Sequence, residues 1–200
     1  MHIDRLIIAT KNQGKLAEIK SILSGLDIEI LFLKDFNKRI RIVENGVTFY
    51  DNALRKALRV SKEFSNDYVV GEDSGLEVEY LNSGPGVYSK RYSGKNASDK
   101  KNNNKLLKVL KGVRKAKRSA CFRCCLVVVK NKKVIKTLEG KLKGRIAGEL
   151  KGGGGFGYDP VFYLPSRHKT VAQLSPDIKN KISHRAKAFK KLKKYIQKLQ

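Results

Sequence analysis

Short apolar runs and helical repeats alternate along the first half of the chain. "LIIAT", Leu6 to Thr10, predicts a buried strand that breaks at "KNQG". Leu16, Ile19 and Leu23 share one helical face, which predicts a helix from about Lys15 to Leu23. "IEILFL", 28 to 33, predicts a second strand. Thr48 followed by Asp51 has the spacing of a capping box with the shorter acid, and the helix it opens carries Phe49, Ala53, Ala57, Val60 and Phe64 at helical intervals. "YVVG" and "LEVEYL" read as strands on either side of Glu72 and Asp73, with Ser74-Gly75 as a turn able to bend the chain. A helix is expected over 98 to 112, ended by glycine. Strands at 120–130 and 133–141 are joined by Asn131-Lys132 as a two-residue turn. Four glycines at 152–155 lead toward "VFYLP", a further strand. The last helix is placed after "SHR", with Phe189, Leu192, Ile196 and Leu199 in steps of three and four. There is no internal repeat. The order predicts an α/β domain with a mixed sheet, one domain or one domain with two lobes across residues 1–200.

Composition narrows the class. Hydrophobic content of 40% over 200 residues supports a real core. No run of 18 apolar residues exists, so no membrane-spanning helix is expected. The opening residues flank a short apolar stretch with charge on both sides, unlike a signal peptide. Cys121, Cys124 and Cys125 lie in "SACFRCCLVVV", which reads as a buried strand. With no second Cys pair or His cluster they read as structural thiols in a reducing, cytoplasmic setting. The 44 Lys and Arg against 18 Asp and Glu give a net charge of +26. These cations are spread along the chain, with no Arg-rich block, basic arm or basic zipper helix. A general attraction to phosphates follows, weakened by salt, and no specific nucleic-acid partner is expected.

Four places can carry chemistry. Thr10, Asn12, Gly14 and Lys15 lie where a strand passes into a helix. Free N–H groups and the helix dipole favour an anion there, and Lys15 adds a full charge; the alternative is a turn whose Asn and Gly suit only the backbone. The GxxxxGK[ST] spacing of a Walker loop is absent. Glu72 and Asp73 at a strand end have the hard oxygens that hold Mg²⁺, and one of them could deprotonate a water; the alternative is a solvated turn. Neighbours on a continuous strand would point to opposite faces. "GGGGFGYDP" offers close backbone approach and an aromatic, Phe156, able to stack on a base, or else a flexible loop. Lys179, His184 and Arg185, in "SPDIKNKISHRAKAF", sit before or at the start of a helix, the wrong end for a cation to serve the dipole, which points to an anionic or hydrogen-bonded ligand. His2 and His168 have no motif around them. Together these suggest a Mg²⁺-dependent enzyme acting on a nucleotide.

In order, "IIATKNQGKLAEI", "TFYDNALRKA", "GEDSGLEVEYLNSGPGVYSKRYSG" and "GFGYDPVFYLPSRHKTVAQLSPDIKNKISHRAKA" resemble the inosine triphosphate pyrophosphatase family, from residue 7 to about 188. The resemblance implies a long mixed sheet with flanking helices forming two lobes around a nucleotide cleft, a homodimer, and Mg²⁺ as cofactor. It implies hydrolysis of ITP, dITP and XTP to the monophosphate and pyrophosphate. It assigns the turn of Thr10, Lys11, Asn12, Gln13, Gly14 and Lys15 to the triphosphate, with Lys11 standing where many relatives have Gly. Lys56 would reach the phosphates. Asp73 would be general base and metal ligand, with Ser74 an adjoining substrate contact. Glu72 and Glu44 would be further metal-associated acids. Phe156, Gly157, Tyr158 and Asp159 would hold the base, and Lys179, His184 and Arg185 would read its six-oxo edge. The "SHR" segment speaks against a pyrimidine substrate, and the intact Asp73 against a binding protein that has kept only the fold.

Overall fold

The computed structural model describes residues 3–37 and 40–200; His2 lies outside them. Strand β1 (Arg5–Ile8), helix α1 (Gln13–Leu23) and strand β2 (Glu29–Phe32) form a right-placed start for an α/β sheet, with β2 parallel to β1 and Leu6 opposite Ile30. Helix α2 (Phe49–Ser61) begins as its capping box predicts: Thr48 Oγ1 accepts from Asp51 N–H at 3.0 Å and the Asp51 carboxylate accepts from Thr48 N–H at 3.0 Å. Strand β3 (Tyr68–Val78) lies parallel to β1 on its other side, Leu6 facing Tyr68.

The acidic pair departs from expectation. No turn forms at Ser74-Gly75. The strand continues through Glu72, Asp73, Ser74 and Gly75 as one element, so Glu72 and Asp73 face opposite sides of the sheet. The reason is burial: β3 is covered on both faces for most of its length, as its nearly continuous apolar flanks allow.

Beyond it come β4 (Gly84–Pro85), α3 (Asp99–Val109), β5 (Ser119–Lys130), β6 (Lys133–Ile146), β7 (Phe162–Leu164), β8 (Lys169–Thr170), α4 (Pro176–Ile182) and α5 (His184–Gln197). The β5–β6 turn forms at Asn131 and Lys132, both with positive φ, as a two-residue hairpin requires. The sheet among the described residues has eight strands in the order β2-β1-β3-β5-β6-β7-β8, with β4 beside β3. It is mixed: β1 is parallel to both neighbours, whereas β4–β3, β6–β7 and β7–β8 are antiparallel.

The chain forms two compact units. The first holds residues 1–74, 124–140 and 184–200, and its core joins Leu6 and Ile8 of β1, Ile19 and Leu23 of α1, Leu126 of β5, and Phe189 and Leu192 of α5. The second holds residues 75–123 and 141–183, and its core joins Leu76, Leu106, Phe122, Tyr158 and Phe162. Cys124 and Cys125 are buried and Cys121 half-buried on β5, as structural thiols would be. Among the described residues no helix is long and apolar enough to cross a membrane.

Candidate active site

In the first unit the strand-to-helix turn after β1 is capped from within. Asn12 Oδ1 accepts from Lys15 N–H at 3.1 Å, and Thr10 Oγ1 accepts from Asn12 N–H at 3.3 Å. Gln13 opens the helix, one residue after the cap, and Gly14 follows it. Lys11 points outward, its Nζ donating to the Ile40 carbonyl at 3.2 Å. Lys15 does not stand alone: its Nζ is 2.7 Å from Glu72 Oε2.

Glu72 is fully buried on that face of β3. Arg185, in the first turn of α5, is 3.6 Å from its other oxygen, and Cys124 Sγ is 3.5 Å from the same oxygen. The guanidinium also pairs with Glu18 of α1 and donates to Ser74 Oγ at 3.1 Å. Burial pushes the Glu72 carboxyl upward, but Lys15, Arg185 and Lys56 outweigh it and hold it well below the usual carboxylate range. Burial likewise opposes the Arg185 charge, and Glu72 and Glu18 more than restore it. Glu72 thus favours its ionised form between two cations, Lys15 and Arg185. On an unbroken strand its side chain faces away from that of Asp73, and the partners it meets there are Lys15 and Arg185. Arg185 is buried because α5 starts at His184 and takes Arg185 into its buried face.

Asp73 looks the other way, onto α2. Asn52 and Lys56 are four residues apart on one helical face. Asn52 Nδ2 donates to Asp73 Oδ2 at 3.2 Å, and Lys56 Nζ donates to Asp73 Oδ1 at 3.0 Å and to the Glu72 carbonyl at 3.0 Å. The Lys56 ammonium also lies 2.8 Å from Glu44 Oε2. Gly71 makes this reach possible. A Cβ there would stand 1.8 Å from the Ala53 carbonyl oxygen, so α2 rests directly on the strand backbone. Burial is the largest influence on Asp73 and raises it, with Glu72 acting in the same sense against Lys56 and Lys15. Burial pulls Lys56 down, and Asp73, Glu44 and Glu72 more than offset that. The result is a carboxylate with raised proton affinity, held by two donors: the character of a general base.

Glu44 and Asp73 thus converge on one cationic point. Two carboxylates of hard oxygens suit Mg²⁺, which takes one or two protein acids and fills the rest of its octahedron with water and phosphate. Among the described residues no group of three or more His, Cys, Asp or Glu side chains could hold a metal ion.

The second unit holds the aromatic turn. Phe156 N–H donates to Asp159 Oδ2 at 2.9 Å, Asp159 pairs with Lys179, and the Lys179 ammonium lies 4.4 Å from the Phe156 ring centroid. Gly157, between them, takes a positive φ of 63°. Tyr158 is buried in the core, its hydroxyl donating to the Ser89 carbonyl at 2.8 Å; it anchors the turn from beneath. Lys179 lies in the last turn of its own short helix α4, the favourable end for a cation, so the dipole argument made for it from sequence does not apply. His184, in the first unit, is buried as the first residue of α5.

Three contributors were not read as site residues from the sequence: Asn52, Glu18 and Cys124. Asn52 stands four residues before Lys56 and Glu18 three after Lys15, so helical spacing from a chosen lysine was the available signal. Cys124 had none, since only pairing of β5 with β3 brings it to Glu72.

The sequence model of the Ham1 family matches residues 6–195. A dITP/XTP pyrophosphatase of Bacillus licheniformis is 48% identical over 187 residues, covering 94% of this chain and 95% of its own. A dITP/XTP pyrophosphatase of Caldanaerobacter subterraneus is 46% identical over 192 residues, 96% of each chain. The solved structure of a HAM1 protein from Coxiella burnetii superposes with a TM-score of 0.88 at 37% identity, covering 98% of this chain and all of the other.

Proposed function

The chain belongs to the Ham1 family, and from that premise we propose that it hydrolyses the non-standard purine triphosphates dITP, XTP and ITP to the monophosphate and pyrophosphate. The observation that carries the chemistry is Asp73: a buried carboxylate of raised proton affinity, aimed by β3 at Lys56 and Asn52. Asp73 takes a proton from water as the water oxygen bonds to phosphorus. The bridging α–β bond breaks, and pyrophosphate leaves with the electron pair. Lys56 and Asn52 keep the carboxylate oriented and ionised. Asp73 and Glu44 would hold Mg²⁺, which when bound would neutralise charge developing on the phosphoryl oxygens.

The other assignments are of the same kind. The turn from Thr10 to Lys15 receives phosphates at the N-terminus of α1, where amide donors and the dipole favour anions. Phe156 stacks on the base, and Lys179 and His184 meet its six-oxo edge. Arg185, enclosed by Glu18, Glu72 and Ser74, supports Ser74 beside the base carboxylate. The protein acts as a cytoplasmic homodimer.

Pyrophosphate release tests this reading. With Mg²⁺, turnover of dITP, XTP and ITP is expected to exceed that of ATP by orders of magnitude, because a site built for an oxygen at position six leaves polar groups unpaired against an amino group. Chelation with EDTA should abolish turnover, and Asp73→Asn should lower kcat about 100-fold or more while the protein stays folded. Equal turnover of ATP, or an Asp73→Asn enzyme within tenfold of wild type, would overturn it.

A further inference from the structure

Helix α3 gives no residue to the site above, yet it carries two adjacent asparagines, Asn102 and Asn103, only 3% and 2% exposed. Buried amides destabilise a protein unless hydrogen-bonded, so their partners show what they do. Asn103 Nδ2 donates to the Asp99 carbonyl at 2.9 Å and, across 54 residues of sequence, to the Gly157 carbonyl at 2.8 Å. One turn earlier on the same helical face, the Asp99 carboxylate accepts from Gly157 N–H at 2.6 Å, a charge-assisted bond. Gly157 is therefore gripped at both its N–H and its carbonyl by a single helix.

The neighbouring asparagine completes the fixture. Asn102 donates to the carbonyls of Ser89 and Lys90 and accepts from Ser93 N–H. Ser89 in turn accepts from the Tyr158 hydroxyl. Upstream, Phe156 is preceded by four glycines, which carry no side chain to fix the ring. What holds the turn beside Phe156 therefore includes α3 directly, through Gly157, and indirectly, through Tyr158.

We propose that Asp99 and Asn103 are positioning residues that set affinity for the purine base by holding the turn that carries Phe156. This rests on the reading of Phe156 as the stacking residue. The clamp acts on the base alone and leaves the phosphate end untouched, which distinguishes it from a role in stability. Ser98 supplies the contrast: its hydroxyl caps the same helix, accepting from Lys101 N–H at 3.3 Å, whereas the bonds to Gly157 come from Asp99 and Asn103.

The test compares Asp99→Ala, Asn103→Ala and Ser98→Ala with wild type. The readouts are KM and kcat for ITP and the inhibition constant of inorganic tripolyphosphate, a probe without a base. Loss of one charge-assisted bond is expected to raise KM for ITP about tenfold in Asp99→Ala, with kcat and tripolyphosphate inhibition nearly unchanged. Ser98→Ala should leave KM where it was. Asn103→Ala should repeat the Asp99→Ala pattern; if it does not fold, the Asp99 arm decides. An unmoved KM, a parallel loss of tripolyphosphate affinity, or the same KM rise in Ser98→Ala overturns the clamp. A wild-type enzyme inactive on every purine triphosphate overturns the function itself, whereas an active one with an unmoved Asp99→Ala KM overturns the clamp alone.

Discussion

At the scale of residues, two adjacent acids have opposite fates because a strand alternates its side chains. Asp73 meets one cation, Lys56, and one amide donor, Asn52, and burial keeps its proton affinity raised; Glu72 faces Lys15 and Arg185, which hold it low. Glu72→Gln tests the assignment. Removing one partner from a buried network should destabilise the fold by roughly 3–5 kcal/mol at neutral pH. The folded carboxyl lies below its ordinary value of 4.5, so its stabilisation is present above that value and fades as pH falls toward the folded one. Urea unfolding of the two proteins should therefore converge as pH drops below about 4.5. A constant gap across that range would mean that Glu72 acts through packing. A Mg²⁺ requirement altered in Glu72→Gln would return it to the metal.

At the scale of elements, the site depends on how closely α2 lies on β3. Gly71 admits that approach, and the capping box at Thr48 fixes where α2 begins. Gly71→Ala places a Cβ against the Ala53 carbonyl, so the helix must shift. The shift should cost roughly 1–3 kcal/mol of stability, as overpacking does. It should also withdraw Asn52 and Lys56 from Asp73, lowering kcat by up to about 100-fold for a displacement near 1 Å. Thermal unfolding and single-turnover rates check the two effects separately. A lower melting temperature with an intact rate would show that Lys56 reaches Asp73 without this seating.

At the scale of the whole molecule, the charge of +26 is the dominant property. On α5 the run from Lys187 to Lys194 includes no acid at all, and like charges at i, i+4 oppose one another there. A polyanion relieves that repulsion. Binding to mixed-sequence single-stranded DNA should be measurable at low salt and should weaken linearly on a log–log scale as salt rises, with no sequence preference. A fluorescence anisotropy titration at several salt concentrations reads both. A salt-insensitive or sequence-selective complex would show a dedicated nucleic-acid site and contradict this expectation.

The sequence by itself determined the elements with local causes. The Thr48–Asp51 box starts α2, Asn131-Lys132 turns β5 into β6, and the apolar spacing of Phe189, Leu192 and Ile196 makes the buried face of α5. Each rests on interactions within a few residues, which spacing records. It also displayed the motifs that named Lys56, Asp73 and the Phe156–Asp159 turn. Only the tertiary structure decided what those residues meet. The expected turn after Asp73 was absent because burial on both faces of β3 outweighed the turn preference of Ser74-Gly75. That one continuity sent Glu72 to Lys15 and Arg185, residues 57 and 113 positions away in the chain. It left Asp73 with Asn52, Lys56 and, through Lys56, Glu44. Partners so distant in sequence leave no periodic trace, because they are chosen by which strands lie side by side and by how near one helix can approach a glycine.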